Sequence, residues 1–256
     1  MIIEYTLDNR VGYITLNRPE KRNALNLEMV DGLKSAFDQA AADPQAKVIV
    51  LRARGEAFCA GADLAYLQEL QQFTFDQNLA DSRNLMSLYL KMYTLPKVII
   101  AQVEGHALAG GSGLVTVCDF AYAVPEAKFG YTEVRIGFIP AIVSAFLIRK
   151  IGEGRAKDLL LSGRLIEAQE AAGLGMITRV ADKSTIVSEV NNLAQQLVHS
   201  ASGQSLAATK SLIDQVQGLP LAEALELAAR RNAEARETDD CRKGIESFLQ
   251  KRELKW

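Results

Sequence analysis

Two stretches rich in β-branched residues each run directly into a glycine-bearing loop that opens a helical pattern. The first is KVIVLRA at 47–53, followed by RGEAFCAGADL, and the second is KVIIAQVEG at 97–105, followed by HALAGGSGL. A buried strand, a loop and a helix in repeated alternation are typical of a largely parallel sheet with crossover connections. We therefore predict an α/β fold in which ligands bind beyond the carboxyl ends of the strands.

The first helix is predicted from the spacing of its apolar residues. Leu27, Val30, Leu33 and Phe37 recur at helical spacing, and Asn26 stands where an N-cap residue is expected. We expect these four side chains to form one buried face.

The remaining patterns complete the predicted organisation. IIEYTL and VGYITL flank the turn-forming residues 8–10, as in a β-hairpin, and residues 64–93 form a helix-like stretch. From Glu153 onward, alanine- and leucine-rich helical patterns dominate. We predict a core over residues 1–195 and a C-terminal helical region over residues 196–256.

The composition argues against several classes of function. The 29 basic and 31 acidic residues give a net charge of -2, which provides no field for nucleic acid or an anionic membrane surface. No apolar run approaches the roughly 20 residues that span a bilayer. The three cysteines are widely spaced and there are only two histidines, so no metal-ligand or redox pair is evident. We expect a cytoplasmic protein without metal or cofactor that binds neither nucleic acid nor membranes.

The glycines of the second loop have two interpretations. Gly110, Gly111 and Gly113 fit neither GxxxxGK[ST] nor GxGxxG, which disfavours the two common modes of nucleotide binding. Backbone N–H groups from the two loops could converge on a thioester oxygen as it becomes an enolate, where a side chain would block the approach. The glycines could equally serve only close packing of a helix against a strand.

Six motifs together resemble one known family. They are, in order, NRPEKRNALN (17–26), FCAGADL (58–64), GHALAGGSGL (105–114), CDFAYA (118–123), KFGYTEVRIGFIPA (128–141) and AAGLGMITRV (171–180). Their order resembles the crotonase family, also called enoyl-CoA hydratase/isomerase, over essentially the whole chain. The resemblance implies a ββα spiral with a C-terminal helical trimerisation region. It also implies an acyl-CoA thioester substrate, of which coenzyme A is a part, and a homotrimer or dimer of trimers.

The resemblance assigns roles to individual residues. It implies that the N–H groups of Ala62 and Gly110 hold the thioester oxygen and that Glu133 is the catalytic carboxylate. The residues expected to contact coenzyme A are Lys21, Arg22, Ala24, Ala60, Asp63 and Leu64. Gly113, Tyr131 and Phe138 are expected in the substrate pocket, although the two aromatic residues would fit core packing as well.

One departure from the family pattern affects the expected chemistry. Many family hydratases carry two glutamates, and the first of these falls on Gly113. Glu133 alone could take a proton from water and return it to C2 of a 2-enoyl-CoA, or move a proton between carbons as an isomerase does. The TEVRIGFIPAIVS segment is similar to bacterial methylglutaconyl-CoA hydratases, which favours a branched or carboxylated substrate. A non-catalytic acyl-CoA-binding protein is the remaining alternative.

Overall fold

The computed structural model describes residues 1–256, and its strands form two sheets. The strands are β1 (Ile3–Asp8), β2 (Val11–Leu16), β3 (Val48–Ala53), β4 (Ala57–Cys59), β5 (Val98–Val103), β6 (His106–Leu108), β7 (Phe120–Ala123), β8 (Lys128–Gly130), β9 (Ile166–Glu167) and β10 (Arg179–Val180). The larger sheet has the order β1-β2-β3-β5-β7-β10, and only its β1/β2 pair is antiparallel. The smaller has the order β4-β6-β8-β9, with only β8/β9 antiparallel.

Helices connect the strands and form the C-terminal part of the chain. They are α1 (Leu27–Ala42), α2 (Leu64–Leu70), α3 (Phe75–Thr94), α4 (Gly110–Thr116), α5 (Ala141–Ile151), α6 (Glu153–Ser162), α7 (Ala168–Leu174), α8 (Ile186–Ser200), α9 (Gly203–Val216), α10 (Leu221–Arg236) and α11 (Asp239–Leu249). Two short 3-10 turns cover Pro19–Lys21 and Glu133–Ile136. None of the helices combines the length and the apolar character that crossing a bilayer requires.

The predicted hairpin and the predicted parallel sheet are both confirmed. Asn9 and Arg10 have positive φ angles of 46° and 65°, and they join β1 to β2 in a two-residue turn. Two central residues with positive φ match the right-handed twist of the strands they connect. The two strands predicted over 47–53 and 97–103 are β3 and β5, which pair in parallel.

Helix α1 begins as predicted, but its buried face differs in one residue. The Asn26 side chain accepts a hydrogen bond from the Met29 N–H at 2.9 Å, as an N-cap does. Val30, Leu33 and Phe37 are buried. Leu27 is half exposed instead, because at 100° per residue it lies about 120° around the helix from Leu33.

The helix-like stretch at 64–93 is two helices rather than one. The break falls at residues 71–74, and Thr74 begins α3. Its hydroxyl accepts from the Gln77 N–H at 3.3 Å, while its own N–H donates to the Gln77 side chain at 2.8 Å. This reciprocal capping box satisfies two N–H groups at a helix start, which favours a new helix over a continuous one.

The predicted boundary at residue 195 falls within α8. This helix packs against β2, β3, β5 and β7 of the larger sheet through four buried residues, Ile186, Val190, Ala194 and Val198. Helices α9 to α11 contain no buried residue. Their exposed apolar side chains include Ile213, Leu221, Leu225, Ile245, Phe248 and Leu249. The role of this region in trimerisation stays a prediction.

Close packing against the backbone around β4 explains two of the glycines. A Cβ on Gly105 would overlap the Glu56 carbonyl oxygen, and one on Gly111 would overlap the Cys59 carbonyl oxygen. Both obstacles are backbone atoms of the segment around β4, so neither can be relieved by a side-chain rotation. The packing interpretation of the glycine cluster is therefore confirmed for Gly111, which leaves the other glycines to be explained.

We predict opposite effects of alanine at two helical glycines. Gly111→Ala should lower the free energy of unfolding by about 2–3 kcal/mol or more, because the added methyl group meets the Cys59 carbonyl. Gly173→Ala in α7 is the matched control, since nothing lies within 4 Å of its added Cβ. It should be neutral or stabilise by up to about 1 kcal/mol. Urea unfolding of both variants checks this, and equal stabilities would contradict the packing described.

Candidate active site

Three parallel strands of the smaller sheet end at the same edge, and each leads into a residue expected in the site. β4 leads into Ala62, β6 leads into Gly110, and β8 leads into Glu133. The strands contain only three residues each. Because they are parallel, their carboxyl ends bring three distant parts of the chain together. The smaller sheet is thus the scaffold of the candidate site.

The amide groups of Ala62 and Gly110 are both free to bind a ligand. Neither N–H donates a hydrogen bond within the chain. Gly110 is the first residue of α4, where N–H groups have no partner inside the helix. Ala62 is exposed and Gly110 is partly exposed, so both donors can be reached from outside.

The residues that precede these two amides touch each other. Gly61 and Ala109 both have positive φ angles, of 92° and 48°. A Cβ on Gly61 would lie 3.0 Å from the Cβ of Ala109. The backbone conformation of a residue sets the direction of the N–H group of the residue that follows it. The amides of Ala62 and Gly110 therefore follow two neighbouring residues, and the unusual conformations of those residues set the directions of both amides.

Ala109 holds a strained conformation that the sequence did not reveal. Its angles of φ 48° and ψ -120° are rarely adopted by a residue with a side chain, and such conformations cost about 1–3 kcal/mol. The surroundings fix it, because its N–H donates to the Gly130 carbonyl at 2.7 Å. The Ser112 hydroxyl donates to the Ala107 carbonyl at 2.6 Å and accepts from the Gly130 N–H at 3.0 Å. Strain of this kind is concentrated at functional sites.

Leu25 sets the direction of the Ala62 amide. The Leu25 N–H donates to the Gly61 carbonyl at 2.7 Å, and the Leu25 carbonyl accepts from the Asp63 N–H at 2.8 Å. In a trans peptide the C=O and N–H groups point in opposite directions. The Ala62 N–H therefore points away from the Leu25 backbone. The Leu25 side chain packs against Gly110, with its Cδ1 2.9 Å from the position of a Cβ there.

Glu133 is a half-buried carboxylate with a free oxygen. It begins the 3-10 turn that follows β8, and its Oε2 is buried without a hydrogen-bond partner. No other buried side-chain nitrogen or oxygen in the chain lacks a partner. Burial raises the pKa of the Glu133 carboxyl above its ordinary value, and a hydrogen bond to its own backbone opposes this in part. An unsatisfied buried acceptor is costly and is retained where it has a function.

Tyr89 places Glu133 and Gly110 around the same space. The Tyr89 hydroxyl donates to the Gly110 carbonyl at 2.8 Å. The negative charge of Glu133 contributes to the raised pKa of both Tyr89 and Tyr131, so the carboxylate is near enough to interact electrostatically with both hydroxyls. The two tyrosines are fully buried, and burial is the main cause of both shifts.

The space beside Gly113 is already filled. A Cβ at this position would lie 2.5 Å from the Val143 Cγ1 and 3.0 Å from the Tyr89 hydroxyl oxygen. No longer side chain fits without displacing them, so the site has a single carboxylate for steric reasons as well as by sequence. Sequence analysis did not identify Tyr89 or Val143. Their apolar surroundings in α3 and α5 are typical of core residues.

Comparison with known proteins decides the family. Residues 6–256 match the family model described as enoyl-CoA hydratase/isomerase. A Thermus thermophilus protein provisionally named an enoyl-CoA hydratase is 45% identical over 242 residues, which cover 94% of this chain and 95% of the relative. The chain belongs to the enoyl-CoA hydratase/isomerase family.

Two further relatives of this family bear on the fold and the chemistry. The crystal structure of an enoyl-CoA hydratase from Shewanella pealeana matches with a TM-score of 0.95 and 29% identity, covering 100% of this chain and 96% of that one. A Mycosarcoma maydis protein named enoyl-CoA isomerase/hydratase fer4 is 35% identical over 252 residues, with 94% of this chain and 90% of the relative covered. The α/β crotonase fold, with two mixed sheets and C-terminal helices, is thus confirmed.

The two segments that the family resemblance assigns to coenzyme A lie side by side. The Ala60 N–H donates to the Arg22 carbonyl at 3.0 Å, beside the pairing of Leu25 with residues 61–63. Lys21 and Arg22 are exposed, and Leu64 is 78% exposed. Ala24 is buried beneath them. The binding roles of these residues stay predictions.

Asp63 has a clear internal function. One carboxylate oxygen accepts from the Arg18 guanidinium at 2.7 Å, and the other accepts from the Ala65 N–H at 2.9 Å, which caps α2. The ion pair is largely buried. Burial is the largest single influence on the pKa of Asp63 and acts to raise it. The hydrogen bonds from Arg18 and Ala65 act in the opposite direction, and the pKa is lowered on balance. The side chain therefore fixes the loop that carries Ala62.

The remaining predicted pocket residues occupy different environments. Tyr131 lies in the core, where its hydroxyl is 2.6 Å from the Thr116 hydroxyl, and Phe138 is 56% exposed. Their assignment to the acyl pocket stays a prediction. His106 is exposed, and its Nδ1 accepts from the Lys128 N–H at 3.2 Å.

Two cavities lie outside the candidate site. One of about 440 Å³ is lined by residues of α5, α9 and the start of β7. Its partly buried Lys150 donates to the carbonyls of Thr116 and Cys118, both at 2.8 Å. A second of about 1010 Å³ lies between α1 and α2. Neither cavity is lined by Ala62, Gly110 or Glu133. The candidate site is therefore identified by its two free N–H groups and its free carboxylate oxygen, and not by the volume of a cavity.

Proposed function

We propose that this chain adds water to the double bond of a 2-enoyl-CoA thioester and catalyses the reverse dehydration. One observation carries the proposal. Two unpaired backbone N–H groups, on Ala62 and Gly110, follow residues in contact, and Glu133, which has a free oxygen, follows β8 at the same sheet edge. This is the arrangement that a reaction through an enolate requires.

The two amides act on the thioester carbonyl. When both N–H groups donate to its oxygen, electron density moves from the double bond toward that oxygen and C3 becomes electrophilic. Attack of water on C3 then places the negative charge on the oxygen between Ala62 and Gly110. Loss of one such donor typically costs about 2.7–4 kcal/mol of transition-state stabilisation. Because the donors are backbone groups held by strained residues, they need no rearrangement as the charge develops.

Glu133 transfers the proton. Its free Oε2 accepts a proton from the attacking water while the oxygen of that water bonds to C3. The same proton then passes to C2 as the enolate collapses to the saturated 3-hydroxyacyl thioester. General base and acid catalysis of this kind contributes about 10²–10⁴-fold. One carboxylate suffices, because it is ionised before the step and again after it.

The segments around Ala62 are proposed to hold coenzyme A. The exposed cations of Lys21 and Arg22 suit its phosphate groups, and the small side chains of Ala24 and Ala60 leave room for the tail. Asp63 contributes by ordering the loop, and exposed Leu64 offers an apolar contact.

A branched substrate with its own carboxylate is the proposed preference. Gly113 replaces the first family glutamate, as in the methylglutaconyl-CoA hydratases that the sequence resembles. A distal carboxylate on the substrate would supply the second acidic group that the protein lacks, since Tyr89 and Val143 fill the space beside Gly113. We propose 3-methylglutaconyl-CoA as the representative of this class.

Isomerisation is the second candidate function. A single carboxylate can remove a proton from C2 of a 3-enoyl-CoA and return it to C4, with the same enolate held by the same amides. The relative named an isomerase/hydratase shows that both names occur among proteins similar to this chain. A non-catalytic acyl-CoA-binding role is disfavoured by the unpartnered oxygen of Glu133.

The proposed assembly is a homotrimer or a dimer of trimers. The exposed apolar side chains of α9 to α11 support it, since large apolar side chains left exposed on a helical region are typical of subunit interfaces. A solution mass of three or six chains is the expected result.

We predict that Glu133→Gln lowers the rate of hydration by at least about 100-fold while acyl-CoA binding is retained. Glutamine keeps the shape of the side chain but cannot take the proton of water. Loss of the double-bond absorbance of crotonyl-CoA and of 3-methylglutaconyl-CoA measures the rate, and calorimetry measures binding. Glu126→Gln is the control, because Glu126 is an exposed residue of the loop between β7 and β8.

Two results would contradict the assignment of Glu133. One is a Glu133→Gln protein that hydrates both thioesters as fast as the unaltered chain does. The other is tight acyl-CoA binding by the unaltered chain with no turnover of any enoyl thioester, which would support the non-catalytic alternative.

The acidic limb of the pH profile should report the raised pKa of Glu133. Activity requires the ionised carboxylate, so kcat/KM falls as the pH drops through this pKa. Because burial raises the pKa above the ordinary glutamate value of 4.5, the fall should be centred above pH 4.5. A pH profile of kcat/KM, corrected for unfolding at each pH, measures it. A limb at or below 4.5 would show that another group governs the reaction.

Substrate comparison separates hydration from isomerisation. We expect 3-methylglutaconyl-CoA to have a higher kcat/KM than an uncharged branched enoyl-CoA of equal length, because of its second carboxylate. Mass spectrometry in H₂¹⁸O should show oxygen incorporation into the product. Conversion of a 3-enoyl-CoA to its 2-isomer without incorporation, at a higher rate than hydration, would instead identify an isomerase.

A further inference from the structure

Tyr89 reaches the candidate site from α3 without being part of its surface. The side chain is fully buried, and its ring packs edge-on against Phe146 of α5 with centroids 6.2 Å apart. Its hydroxyl donates to the Gly110 carbonyl at 2.8 Å. The same oxygen would lie 3.1 Å from a Cβ on Gly110 and 3.0 Å from one on Gly113. Tyr89 thus touches the first turn of α4 at two positions.

Tyr89 provides the one side-chain hydrogen bond to the first residue of this turn. Helix α4 has only seven residues, and its N-cap residue Ala109 provides no side-chain hydrogen bond. The strained Ala109 fixes the peptide on the amino side of Gly110, the one that carries the donor N–H. The Tyr89 hydroxyl bonds to the peptide on the carboxyl side of the same residue. Without this second restraint the peptide after Gly110 is held less firmly, because glycine has no Cβ to limit its rotation.

The chemistry of Tyr89 suits a fixed donor rather than an acid or base. Burial, reinforced by nearby Cys59, Tyr131 and Glu133, raises its pKa well above the ordinary value. The hydroxyl therefore keeps its proton over the working pH range and continues to donate to Gly110. Its burial also prevents contact with solvent or substrate, which distinguishes it from a catalytic residue.

We propose that Tyr89 is a positioning residue that aims the N–H of Gly110 at the thioester oxygen by holding the first turn of α4. The inference rests on the proposed function, since it concerns one of the two donors assigned there. Loss of the hydroxyl should weaken the stabilisation of the developing charge while leaving coenzyme A binding intact, because the fully buried Tyr89 offers no surface to coenzyme A.

The first test is kinetic. Tyr89→Phe keeps the ring and removes only the hydroxyl. We expect kcat to fall about tenfold with KM changed by less than about threefold, because a small misplacement of a catalytic donor affects the chemical step. Tyr93→Phe is the matched control, being one helical turn further along α3 and also packed on Phe146. A merely structural role would lower the melting temperature but leave kcat per folded molecule unchanged.

The second test observes the carbonyl directly. Glu133→Gln protein binds a 2-enoyl-CoA without rapid turnover, and ¹³C-edited infrared spectra report its thioester C=O stretch. Binding to two N–H groups should move the stretch to lower wavenumber. In the Glu133→Gln/Tyr89→Phe protein we expect less than half of this shift, whereas Glu133→Gln/Tyr93→Phe should retain it. If the phenylalanine variant does not fold, Tyr89→Met fills similar volume without a hydroxyl and carries the same expectation.

The outcomes separate this inference from the proposed function. An equal carbonyl shift with and without the Tyr89 hydroxyl, together with unchanged kcat, would overturn the inference alone. Absence of any shift in the Glu133→Gln protein would overturn the assignment of the two donors and, with it, the role of Tyr89. A reduced shift only in the Tyr89 variants would establish the residue as a positioning group.

Discussion

The contact between Gly61 and Ala109 is the constraint on which the candidate site depends. Both residues have positive φ angles, and each directs the amide of the residue that follows. They meet because β4 and β6 pair in parallel and because Gly111 lets α4 rest against the backbone of Cys59. The strain in Ala109 is offset by the hydrogen bonds around it, in keeping with the observation that such conformations persist only where the surroundings determine them.

The electrostatics of the site contrast with those of the rest of the interior. Lys150 and Lys210 are each surrounded by acceptors, and Asp63 is paired with Arg18. Glu133 alone has a buried oxygen without a partner. Since an unpaired buried carboxylate costs free energy, the fold is less stable than it could be at the residue that we propose as the base. The same burial raises the pKa of the carboxyl, which makes it a stronger base.

Much of the fold could be predicted from the sequence, because its signals are local. The hairpin at residues 8–11, the Asn26 cap and the two parallel strands depend on residues next to one another in the chain. The prediction that Leu27 is buried was wrong because four apolar residues at helical spacing do not show which of them lies at the centre of the buried face. The smaller sheet was missed because strands of two or three residues carry no periodicity.

The candidate site could be predicted only in part, for a similar reason. Family resemblance assigned Ala62, Gly110 and Glu133, and the structure places all three at one sheet edge. The conformation of Ala109 has no sequence signal, since alanine rarely has positive φ. Tyr89 looked like any apolar residue of an amphipathic helix, and only the fold brings its hydroxyl to a glycine 21 positions away.

A crystal structure with a bound saturated acyl-CoA would test the central claim most directly, because such a thioester binds without reacting. The account predicts a thioester oxygen at about 2.7–3.1 Å from the amide nitrogens of both Ala62 and Gly110, with the Glu133 carboxylate facing C2 and C3. A thioester oxygen in contact with neither amide, or an acyl chain in the cavity between α1 and α2, would contradict it.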